Sequence, residues 1–125
     1  MKQFKISFPS TYSIEDISNS NIDMMVVFDD DTVYYATLFT VCNIQELMEK
    51  NNEVYFWAQD MFIVKDLAIT TIRDAVEKSI KDEYFCFIFD KIGTIQNIYG
   101  KNMTYEQLVD AAPRSAEAVQ EKQVE

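Results

Sequence analysis

Residues 54–92 read VYFWAQDMFIVKDLAITTIRDAVEKSIKDEYFCFIFDKI, and the division of this stretch decides the fold. The first part, 54–64, is apolar on both alternating faces. Val54, Phe56, Ala58, Phe62 and Val64 share one side, and Tyr55, Trp57, Met61 and Ile63 the other, the pattern of a strand covered on both faces. Gln59 and Asp60 interrupt both faces together and mark a bulge or a strand end. From about Asp66 the apolar residues Ile69, Ile72, Val76 and Ile80 recur at spacings of 3, 4 and 4. That spacing predicts an amphipathic helix with one stripe on a sheet and Arg73, Glu77, Lys78 and Lys81 outward. The closing run at 84–89, YFCFIF, is too short to type by period, and a strand is favoured over a helical turn.

Working outward, Phe4, Ile6 and Phe8 alternate with polar residues as in a half-buried strand that Pro9 ends. Residues 10–21 read as a surface loop pinned by Tyr12, Ile14 and Ile17. Residues 22–41 read as a β-hairpin about Asp29, Asp30 and Asp31. Pairing Phe28 with Val33 is the favoured register, because it places Ile22, Met24, Val26 and Phe28 beside Val33, Tyr35, Thr37 and Phe39. With no glycine at the turn, a four-residue loop is preferred to a two-residue one. Asn43 is the expected N-cap of a short helix carrying Ile44, Leu47 and Met48, with Glu46 as its capping-box partner. After Gly93, residues 94–99 suggest a last strand, and Thr104 with Gln107 a further capped helix. The expected architecture is one α+β domain over residues 1–112: a mostly antiparallel sheet with an N-terminal hairpin, packed by two to three helices. An acidic, polar, frayed tail is expected from 113 to 125.

The chain has 125 residues, 48% of them hydrophobic, which suffices for one core and argues against disorder. Its 21 acidic residues against 11 basic ones give a formal net charge of −10. Such a field repels nucleic acid and anionic membrane and attracts basic partners. The N-terminus has no signal-peptide pattern, and no apolar run reaches membrane-spanning length, so a cytoplasmic location is expected. Cys42 and Cys86 lie among apolar residues and read as buried free thiols, with a disulfide as the alternative. Without histidine, catalytic triads, Cys-His pairs and zinc motifs are ruled out of the reading, and neither glycine belongs to a phosphate-binding loop.

No catalytic residue, metal ligand or cofactor is therefore expected. Asp29, Asp30 and Asp31 are consecutive, and consecutive turn carboxylates diverge, unlike the alternate ligands of a calcium loop. They read as a solvated turn or as a contact for a basic partner. Asp60 interrupts an apolar run and is either held by backbone partners or exposed. Tyr34, Tyr55 and Trp57 are the aromatic residues to weigh as interface anchors against core packing.

The segment YFWAQDMFIVKDL at 55–67, followed by the helix through Ile72, Val76 and Ile80 and then by YFCFIF, resembles the small acidic immunity proteins of bacterial polymorphic and contact-dependent inhibition toxin systems. An N-terminal hairpin with an acidic turn precedes it, so the likeness spans about residues 1–92 and leaves out the tail. It implies a non-enzymatic inhibitor that binds a cognate toxin domain in the cytoplasm. The net charge separately suits a basic partner such as a nuclease. The expected contacts are Asp29, Asp30, Asp31, Glu46, Glu49, Glu53 and Asp60 for steering, with Tyr34, Tyr55 and Trp57 as anchors. The alternative is an acidic adaptor or self-associating module, a homodimer among its forms, pairing through the second face of the hairpin.

Overall fold

The computed structural model describes residues 3–113. Five strands, β1 (Phe4–Ser7), β2 (Asn21–Phe28), β3 (Thr32–Thr40), β4 (Met61–Val64) and β5 (Asp90–Thr94), form one sheet. Helices α1 (Val41–Lys50), α2 (Ile69–Lys81), α3 (Phe85–Ile88) and α4 (Ile95–Tyr99) accompany it, with a 3-10 turn at Tyr105–Gln107. The spatial order is β1-β2-β3-β4, and β5 pairs with β3 as well. β3 gives its C-terminal half, Thr37 to Thr40, to β4 in parallel, and its N-terminal half to β5 antiparallel. The two outer strands therefore stand end to end along one edge of β3. The fold is α+β with a mixed sheet, in which three of the strand pairings are antiparallel.

The hairpin register differs by one residue from the expected one: Val27 pairs with Val33, Val26 with Tyr34 and Met24 with Ala36. The turn sets this. Asp31 N–H donates to Phe28 O at 3.0 Å, and Asp31 then adopts φ 72°, giving a three-residue loop that closes a type I turn with a left-handed residue. Asp tolerates that conformation better than most side chains, so glycine is not required. Ala36 and Leu38 accordingly face the main core beside Met24 and Ile22, with Phe4, Ile6, Val26 and Phe28.

Over this face lies α2, whose Ile72 and Val76 are fully buried, joined by Leu67, Val64, Phe85 and Phe89. The 3, 4, 4 stripe is thus the packed one, although the helix begins at Ile69, with Asp66 just outside accepting from Ala68 N–H at 3.0 Å. Tyr12 and Ile14 from the long connection pack on the same core, while Ile17 stays exposed and its carbonyl accepts from Leu67 N–H. On the opposite face a smaller cluster of Val27, Val33, Ile95 and Tyr105 is closed by α4 and the 3-10 turn. Arg73 holds the segment that follows the 3-10 turn, at 2.7 Å from Asp110 and over the Phe4 ring.

Several elements depart from the sequence reading. Residues 54–58 form no strand, and only Met61–Val64 does. The run at 84–89 makes a helical turn, because a turn brings Phe85 and Phe89 onto one side, their rings stacked at 4.3 Å. The strand after it is β5, and residues 95–99 are helical, capped by Thr94. α1 starts directly from β3 with Thr40 as its N-cap; Asn43 is buried and donates and accepts among Asn19 and Asn21. The capped segment after Thr104 keeps its capping box but is a 3-10 turn. Cys42 and Cys86 are free, yet both are exposed. Tail residues 114–125 lie outside the described residues. Among the described residues no helix is long and apolar enough to cross a membrane.

Candidate functional site

The connection between α1 and β4 carries the most unusual surface. α1 ends at Asn51, and Asn52 takes φ 54°, which reverses the chain; Glu53 N–H then returns to Met48 O at 2.9 Å. Residues 54–58 run on without regular structure. Phe56 is the aromatic residue that turns inward, its ring edge-on to Phe39 at 5.1 Å. Its neighbours on either side point out, Tyr55 at 64% exposed and Trp57 at 71%, and Val54 at the start of the segment is 96% exposed. A single half-buried ring anchors a loop that displays two aromatic side chains and a valine to solvent. Exposed apolar residues grouped this way mark interaction surfaces more often than scattered ones do.

Carboxylates flank this loop. Glu46 and Glu49 are exposed on α1, and Glu53 is exposed at the start of the loop. At its end Asp60 holds φ 53° and gives its carbonyl to Thr37 N–H at 2.9 Å. Its carboxyl is raised above the ordinary value, first because it is desolvated and then because Asp90 lies near. Asp23 belongs to the same side of the sheet: it accepts from the Thr37 hydroxyl at 2.8 Å, and that hydroxyl meets the Tyr35 hydroxyl at 3.1 Å. Burial is the first cause of the raised Tyr35 phenol, and both Asp23 and Asp60 add to it. The open half of the second sheet face thus combines negative charge with aromatic surface.

The expected contact residues are not one group. Asp29, Asp30 and Asp31 sit beyond the far end of β3, the nearest of them about six residues from Thr37, or roughly 20 Å of strand. Their side chains serve the turn: Asp29 accepts from Gln3 N–H, Asp30 accepts from Thr32 N–H and hydroxyl at 3.1 and 2.6 Å, and Asp31 accepts from Gln96. Tyr34 is packed edge-on against Phe28 and Phe85 as part of the main core. Glu46, Glu49, Glu53, Tyr55, Trp57 and Asp60 remain together by chain proximity. Sequence reasoning missed Val54 and Asp23 as surface residues. The alternation Ile22-Asp23-Met24 within a strand was the available signal for Asp23, since a carboxylate between two core residues has to face out.

Among the described residues no three or more Cys, Asp or Glu side chains converge as a metal site would need. Comparison with protein-family models, with curated proteins and with solved structures returns no match.

Proposed function

We propose that this protein is a non-enzymatic binding protein, acting in the cytoplasm, that neutralises a basic protein domain of the toxin class through the loop at residues 54–57 and the carboxylates around it. The supporting observation is the exposure of Trp57 and Tyr55 on a loop fixed by Phe56. Trp and Tyr supply large contact area at little loss of side-chain freedom and dominate binding hot spots. Glu46, Glu49 and Glu53 precede those anchors in the chain and Asp60 follows them, and the net charge of −10 extends the attraction beyond contact distance. Charge on this reading sets the speed of encounter, and the aromatic anchors set the lifetime of the complex. The acidic hairpin turn contributes field only, because its carboxylates already hold the turn together.

The direct experiment takes the product of the reading frame adjacent to this gene, where it encodes a basic domain, and measures binding and residual toxin activity. The expected result is a stoichiometric complex that abolishes activity, with an on-rate that falls as salt rises. Trp57→Ala should weaken it by at least about 2 kcal/mol, roughly thirtyfold. Binding indifferent to salt and to Trp57→Ala would remove this reading.

A further inference from the structure

The outer edge of β4 and the groove beside it form a second surface, and none of residues 54–60 lines the groove. Thr37 N–H donates to Asp60 O, and in a parallel ladder this turns the main-chain groups of Phe62 and Val64 toward β3. Those of Met61 and Ile63 point away from the sheet, where no strand pairs with them among the described residues. Exposed edges of this kind are normally blunted by a charge, a proline or a cover. The sequence Met-Phe-Ile-Val contains neither charge nor proline, and the Ile63 side chain is half exposed.

Beside the edge, α2 leaves a groove of about 510 Å³ floored by Phe62, Val64, Ala75 and Ile88. Its charged residues are Lys65 and Lys78 against Asp74 and Asp82, two of each sign. On a chain with 21 acidic and 11 basic residues, that local balance is unusual. A groove for a cationic partner would be acidic, and one for an anionic partner basic. A balanced set matches its own copy.

We infer that this protein forms a two-fold symmetric dimer in which β4 pairs antiparallel with the β4 of a second copy. The symmetry is self-consistent. Antiparallel addition at one sheet edge places the two-fold axis perpendicular to the sheet, so both α2 helices lie on the same face and run antiparallel across the axis. Asp74 and Lys78 are one helical turn apart, and that apposition sets Asp74 of each copy opposite Lys78 of the other. Thr71, Ala75 and Ser79 on the same groove face are small and let the helices approach. The Ile63 main-chain groups meet their symmetry mates at the centre of a continuous sheet. The dimer does not require the cationic partner.

Sedimentation or light scattering of the full chain at several concentrations tests this. The expected mass at high concentration is twice 14.6 kDa. Ile63→Lys adds a charge at a half-exposed edge position, where the fold tolerates it, and should weaken the dimer by about tenfold or more. Asp74→Lys and Lys78→Asp should each weaken it, because like charges then face one another, while the double exchange Asp74→Lys with Lys78→Asp restores association. Circular dichroism establishes that each variant is folded. A chain that stays monomeric throughout, a dimer that survives Ile63→Lys, or a double exchange that fails to restore pairing would each overturn the inference.

Discussion

Two uninterrupted apolar runs rich in aromatic residues, VYFWA at 54–58 and YFCFIF at 84–89, meet opposite fates in this protein. The second folds into a helical turn, so residues four apart fall on one side: Phe85 and Phe89 stack on each other and enter the core beside Phe28 and Phe62. The first remains extended and irregular, so only one of its rings finds a pocket, and Phe56 packs on Phe39. Local geometry, not hydrophobicity, separates scaffold from display surface. The same rule operates inside the second run, where Tyr84 and Phe87 are left outside.

Truncating the helical run should break the protein. Phe85→Ala removes ring contacts with Phe28, Tyr34 and Phe89 and should cost about 3–5 kcal/mol in urea unfolding. Truncating the extended run should hardly register there. Trp57→Ala is expected to change stability by no more than about 0.5 kcal/mol, so its loss of partner affinity is readable without a folding correction. A Trp57→Ala variant as unstable as Phe85→Ala would erase the contrast between the two runs.

Phe56→Ala sharpens the contrast within the loop. Its ring is the one that points in, and losing the contact with Phe39 should cost about 1–2 kcal/mol. Partner binding should weaken with it, because the displayed rings lose their support, and protease sensitivity at 54–58 should rise.

The smallest effect concerns the end of the loop. The Asp60 carboxyl is raised by desolvation and by Asp90, so the folded state prefers it protonated. The stability tied to that proton is present below the ordinary carboxylate range and is lost as pH rises through the raised value. Asp60→Asn retains a side chain that tolerates the left-handed backbone and should stabilise the protein by a few tenths of a kcal/mol at neutral pH, after allowance for solvent screening. The difference should vanish in acid, below the carboxylate range. An equal gain at both pH values would remove charge as the cause.

Much of this was legible in the chain. The α+β class, the hairpin, the stripe Ile72-Val76 and the capping box at Thr104 and Gln107 follow from periodicity and cap chemistry, which are local. The hairpin register was not, since it depends on Asp31 taking a left-handed conformation that glycine would have announced and aspartate does not. The two aromatic runs were misread together for one reason. An apolar run with no interruptions carries no phase, so neither the loop at 54–58 nor the turn at 85–88 is distinguishable from a strand until something packs against it. Within the candidate site, Tyr55 and Trp57 were found by residue type, whereas Tyr34, of the same type, went to the core because the true register turned it inward.

Trp57 is the sole tryptophan of the chain, so its fluorescence reports on this loop without interference. Emission of the isolated, folded protein should lie where tryptophan emits in water, and acrylamide should quench it almost as freely as it quenches the unfolded chain. Emission shifted to the blue and protected from quencher in the monomer would place Trp57 in a core, and the loop could not then be the surface that meets a partner.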